Sequence, residues 1–140
     1  MSNTAIMLPV FAQMALIFAV LIKMGSCRVA ALKAREVTLG DVALSGDAWS
    51  NNVKKVSNNF NNQFQIPVLF YTAVAFFMIT GNVDFVAIVL AWAFVASRYV
   101  HSFIHIRAND VRKRFKVYAI GVFIVMALWI WLALKIYLIG

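Results

Sequence analysis

The chain has 140 residues, 64% of them hydrophobic and 13% charged, with 13 Lys and Arg against 5 Asp and Glu. A soluble domain of this size cannot hide so much apolar surface, because exposed apolar patches on soluble monomers stay small, so lipid is the natural solvent and the length allows one domain over 1–140. The net charge of +8 does not point to nucleic acid, because the cations sit in two loops beside apolar spans, the pattern that orients membrane proteins.

Four apolar runs follow one another. Ala5 to Ile22 is uncharged and broken only by Pro9 and Gln13. The single cysteine, Cys27, follows it; it cannot form an intramolecular disulfide and is read as inert. Ile66 to Thr80 is short, Val83 to Val100 is apolar until Ser97 and Arg98, and Val117 to Ile139 carries only Lys135. A bilayer core needs roughly 20 helical residues, so the second and third runs must extend into polar sequence. The spans are predicted at about 5–24, 58–80, 83–107 and 117–139. The fold class predicted is an all-α integral membrane four-helix bundle.

Charge sets the expected orientation. Lys23, Arg28, Lys33, Arg35, Lys54 and Lys55 fall in the first loop, and Arg98, Arg107, Arg112, Lys113, Arg114 and Lys116 fall in or beside the third. Only Lys135 lies towards the other side, so the basic loops are predicted to be cytoplasmic and both termini outside.

The second and third spans form a tight hairpin about Gly81-Asn82, so positions equidistant from that turn lie at equal depth. Asn62 is then level with His101, Gln65 with Arg98, and Asn58 with His105. On the third helix Arg98, His101, His105, Asn109 and Arg112 are spaced as one helical face. On the second, Asn58, Asn61, Asn62 and Gln65 share a face, and amides both donate and accept hydrogen bonds. Together these residues predict a cationic, amide-lined recess for a zwitterionic or anionic ligand, with an apolar co-substrate arriving from membrane lipid. Four short helices are not expected to bury Arg98, His101 and His105 inside one protomer and also line a ligand site, so a homotrimer is predicted, with the recess at the subunit boundary.

Simpler readings stand beside this one. Arg107, Lys113 and Lys116 read as side chains that snorkel to lipid phosphates, and interhelical amides are common glue in membranes. Two histidines four residues apart can hold a metal, but no further histidine is present, and no metal is expected. Pro67 is placed to kink the second helix.

Two stretches carry a family resemblance: SNNFNNQFQIPVLFY, Ser57 to Tyr71, and RYVHSFIH followed by RANDVRKRF, Arg98 to Phe115. In a four-span chain of this size they resemble the MAPEG family, the membrane-associated proteins in eicosanoid and glutathione metabolism. The resemblance covers nearly the whole chain. It matches Asn61 and Pro67 to the family's helix-two signature, and Arg98 and His101 to the pair that contacts glutathione. Arg112 or Arg114 matches the arginine that stabilises the glutathione thiolate, and Arg28 matches a basic residue after the first helix. Arg112 is preferred, because it completes the stripe while Arg114 points about 200° away on an ideal helix. The signature glutamate falls on Phe64, with Gln65 the nearest polar residue, and His105 stands where a tyrosine is usual.

The resemblance implies a homotrimer with glutathione between adjacent subunits, and a glutathione transferase or peroxidase acting on lipophilic electrophiles. Two other functions remain open: a non-catalytic lipid-binding or scaffold protein, like the family's non-enzyme branch, and an accessory subunit of a larger membrane complex.

Overall fold

The structure, a computed structural model, describes residues 3–139. A 3-10 turn, Asn3–Ile6, leads into α1, Met7–Lys33; α2, Asn51–Asn62, and α3, Ile66–Ile79, make the second span; α4, Phe85–Ile106, makes the third; α5, Val111–Leu134, makes the fourth and continues as a π-helical turn, Lys135–Ile139. Among the described residues there is no strand, and four helical spans are long and apolar enough to cross a membrane.

The helices run past the apolar sequence that nucleates them. The first continues to Lys33 and stops where Arg35 takes a left-handed φ of 57°, with the Glu36 amide returning to the Ala31 carbonyl and the Arg35 amide to Leu32. That hydrogen-bond pair satisfies the carbonyls a helix end leaves free. The hairpin turn repeats the device at Gly81, φ 68°, where the Asn82 amide reaches the Phe77 carbonyl. Asp84 then caps α4, accepting from the Ala87 amide at 2.9 Å.

The second span is not one helix. It breaks over Gln63–Gln65, because Pro67 lacks an amide hydrogen and its ring clashes with the carbonyl four residues back, at Gln63. The break turns α2 relative to α3 and sets which amides point inward. Asn59 and Gln63 are buried, while Asn58, Asn61 and Gln65 are exposed and Asn62 is half-buried. The amide face expected to meet the third helix is therefore turned largely outward, and the opposite face does the pairing.

Apolar packing is concentrated at the hairpin end, where Phe70 and Phe77 of α3, Ala87, Ala91 and Phe94 of α4, and Val125 and Leu128 of α5 form one cluster. α4 and α5 approach closely at Gly121, where an added Cβ would lie 3.0 Å from the Ser97 hydroxyl; small residues permit such close crossings in membranes. At the loop end the packing thins into two smaller clusters between α1, α2 and the first loop, around Val56 and around Trp49. The space between them and α5 is filled by polar groups.

Candidate functional site

The polar groups begin one turn below the apolar cluster. Arg98 is 1% exposed, and His101 and His105 follow on the same face of α4, each 2% exposed. All three are buried within a single protomer. Burial of this stripe is therefore by itself no argument for a trimer; of the three, His105 alone also lines a cleft. The hairpin register holds approximately: Arg98 donates to the Asn62 carbonyl at 3.4 Å, one helical turn from the Gln65 level expected for it.

Beside the stripe lies a fully buried amide network. Gln13 of α1 donates to the Gln63 Oε1 at 3.0 Å. Gln63 donates in turn to Ser102 Oγ at 3.0 Å and to Asn59 Oδ1 at 3.2 Å, and Ser102 closes the ring onto Asn59 Oδ1 at 3.0 Å. Three spans are joined through these four side chains. None was a predicted site residue, although Gln13 is the only polar side chain within the first apolar run and Asn59 and Gln63 stand four apart, on one helical face.

The expected stripe does not continue beyond His105. α4 ends at Ile106, Asn109 takes a left-handed φ of 48°, and its amide returns to the Ile104 carbonyl at 2.7 Å. Asp110 then caps α5 by accepting from the amides of Arg112 and Lys113. The face that joined His105 to Arg112 assumed one continuous helix, and the break at 107–110 overturns it. Arg112 is exposed. Arg114 is the arginine brought back to the histidines: its Nη1 lies 2.6 Å from Asn109 Oδ1 and 3.3 Å from His105 Nε2. Tyr118, one turn further along α5, has its ring centroid 6.0 Å from that of His101.

Several clefts open at the loop end, and two of them flank α2. The larger, about 510 Å³, has Lys54, Lys55, Asn58, His105, Asn109 and Arg114 in its wall. It contains three fixed cations and no carboxylate among its lining residues. The smaller, about 380 Å³, is lined by Arg28, Asp47, Trp49, Ser57, Asn58 and Asn61, among others. There Arg28 donates to Ser57 Oγ at 3.1 Å and lies 5.6 Å from the Trp49 ring centroid. The predicted residues are thus divided. His105 and Arg114 line the larger, Arg28 and Asn61 the smaller, and Asn58 both; Asn62, Gln65, Arg98, His101 and Arg112 line neither cleft.

The electrostatics favour an anion. The two ion pairs among the described residues are Lys113–Asp110 and Lys135–Asp84, so Arg98 has no carboxylate partner. Cations at membrane depth are costly unless paired or placed against a wet cavity. Arg98 Nε, His101 Nδ1 and His105 Nδ1 are buried without a hydrogen-bond partner. The cationic wall of the larger cleft suits a ligand rich in carboxylate and carbonyl oxygens. Among the described residues no cluster of three or more His, Cys, Asp or Glu could hold a metal.

A helical bundle with four bilayer-length apolar spans and its polar groups gathered at one end is a multi-pass integral membrane protein. The family model of the MAPEG family matches residues 6–134, and the chain belongs to the MAPEG family. Neither the curated proteins nor the solved structures contain a match to it.

Proposed function

We propose that the protein is a membrane glutathione transferase that joins the glutathione sulfur to lipophilic electrophiles drawn from the bilayer. The observation that carries the reading is the larger cleft, whose wall holds Lys54, Lys55 and Arg114 and no carboxylate; the 1% exposed Arg98, also without a carboxylate partner, lies deeper on the helix face that carries His105. Glutathione fits that wall. It offers two carboxylates to the cations, and its amide and ammonium hydrogens suit the side-chain oxygens of Asn51, Asn52 and Asn58. The cleft volume lies within the usual range for small-ligand sites.

When bound, glutathione supplies the sulfur nucleophile. Arg114 stands at the cleft wall with its guanidinium held by two partners. A positive charge near a thiol favours the anion, and the thiolate is the reactive form. Lys54 and Lys55 hold the carboxylates. The thiol proton leaves to solvent at the open side of the cleft. The sulfur then forms its bond to the electrophile as the leaving group departs with the bonding pair.

The same reading takes the loop end as cytoplasmic, since all basic residues but Lys135 lie towards it. It also takes the active form as a homotrimer. Asn58, Asn61, Phe64 and Gln65 form an exposed, largely polar stretch within the second span, and lipid gives such groups no hydrogen bonds. Neighbouring copies would cover that face and bring an Arg28 cleft towards an Arg114 cleft.

A second reading, a lipid-headgroup binder without catalysis, draws on one observation. Phe64 is 56% exposed where the family signature has glutamate, so the α2–α3 break offers no carboxylate for a ligand ammonium. Purified protein in liposomes, supplied with glutathione and a chloronitrobenzene, separates the two. Enzymatic conjugation above the solution rate supports the transferase. Its absence, together with retention of anionic lipid through purification, supports the headgroup binder.

A further inference from the structure

We propose that His105 and Asn109 are positioning residues that aim the Arg114 guanidinium into the larger cleft; the inference rests on the transferase reading above and deepens it. The geometry is specific. Arg114 lies on the first turns of α5, next to the helix break at 107–110, where an unrestrained arginine samples many rotamers. Here one terminal nitrogen, Nη1, meets both Asn109 Oδ1 at 2.6 Å and His105 Nε2 at 3.3 Å. The two partners come from different pieces of structure. His105 is fixed by the last turn of α4 and is 2% exposed, whereas Asn109 is fixed by the turn between the helices.

The turn is built to present that oxygen. Asn109 has φ 48°, a conformation that asparagine tolerates better than most residues, and its own amide is satisfied by Ile104. Asp110, next in the chain, spends its carboxylate on capping α5 and on Lys113. It is therefore not the partner that holds Arg114. A neutral amide oxygen secures the guanidinium while leaving its full positive charge available to a ligand. A carboxylate in the same place would neutralise it.

The contact also assigns a tautomer. Arginine donates and never accepts. His105 Nε2 must therefore present its lone pair to Arg114, and the ring proton sits on Nδ1, which is buried without a partner. A neutral His105 with this tautomer is the only form that can receive the bond.

The test compares wild type with Asn109→Gly, Asn109→Asp, His105→Leu and His105→Gln. Glycine keeps the left-handed turn but removes the oxygen, and aspartate restores it. Glutamine restores an acceptor near the Nε2 position, and leucine does not. Two quantities are read: glutathione affinity by calorimetry, and ionisation of the bound thiol by thiolate absorbance. Asn109→Gly and His105→Leu should bind glutathione, because Lys54 and Lys55 remain. The ionised fraction at neutral pH should fall about tenfold, as expected when a nearby cation loses its aim; His105→Gln should recover it, and Asn109→Asp should not, because its carboxylate holds the guanidinium but neutralises it. Nitrogen NMR of labelled histidine gives a readout that needs no ligand: His105 should carry its proton on Nδ1 in wild type and lose that preference in Arg114→Ala.

Unchanged thiol ionisation in Asn109→Gly and His105→Leu, with a wild-type thiolate signal present, overturns the positioning role and leaves the transferase reading standing. A proton on Nε2 of wild-type His105 also overturns it. A wild type that binds glutathione without ionising it overturns the transferase reading instead, whatever the histidine tautomer.

Discussion

Gln13 on the first span and Gln63 at the break in the second are joined side chain to side chain at 3.0 Å, both fully buried. Gln63 is the hub: the same side chain also reaches Asn59 and Ser102, so one residue ties α1, the end of α2 and α4 together. Lipid offers no alternative hydrogen bonds, and the loss of one partner leaves the others stranded.

Gln63→Leu is therefore expected to destabilise the protein by about 1–3 kcal/mol, the usual result of leaving buried polar groups unpaired. Gln13→Leu combined with Gln63→Leu should recover part of that loss, since both partners of one bond are removed together. Reversible unfolding in detergent, read as a double-mutant cycle, checks this. Strict additivity would mean that the bond contributes no coupling.

Arg114 and Arg112 should differ sharply. Arg114→Ala removes the cation held at the cleft wall and is expected to lower kcat by about 100-fold, the scale seen when one preorganised donor is lost. Arg112→Ala alters an exposed side chain and should leave kcat close to wild type. Steady-state conjugation rates decide it, and the opposite ranking would return the thiolate to Arg112.

At the hairpin end, Asp84 accepts from the Ala87 amide and from the Trp131 indole at 3.1 Å, with Lys135 at 3.4 Å. Burial pushes its carboxyl up, but these hydrogen bonds and the lysine charge outweigh that and hold it below the ordinary aspartate value. A depressed folded pKa stabilises the protein above the ordinary value, about 3.9, and the contribution disappears as pH falls through the folded value. Thermal stability should therefore drop on acidification below about pH 4, and Asp84→Asn should flatten that limb. Asp84→Ala, which also loses the cap, should cost about 1–2 kcal/mol at neutral pH. Equal acid sensitivity in wild type and Asp84→Asn would contradict the assignment.

Much of this architecture can be read from the chain. Apolar runs mark the four spans, Gly81 marks the hairpin, and Pro67 marks the interruption of the second. The arrangement of Arg98, His101 and His105 on one face follows from helical spacing alone, and their burial does not. Three features needed the fold. The turn caused by Pro67 exchanged the inward amide face, selecting Asn59 and Gln63 over Asn58, Asn61 and Gln65. The helix break at 107–110 agrees with the expected end of the third span and carries two local signs, Asn109, which tolerates the left-handed turn, and Asp110, a good cap residue; a stripe extended through it to Arg112 ignores both. That break brings Arg114, and not Arg112, back to His105. Last, enclosure of the cationic stripe in one protomer depended on α5 closing against α4, a packing fact that periodicity does not contain.

The most direct test of the central claim is calorimetric titration of glutathione into the detergent-solubilised protein at low and high salt. A cationic cleft predicts measurable binding that weakens as salt screens the charges at its open side, and that falls further when Lys54, Lys55 and Arg114 are replaced together by alanine. Absence of binding at low salt, or binding that neither salt nor the triple substitution alters, would contradict the account.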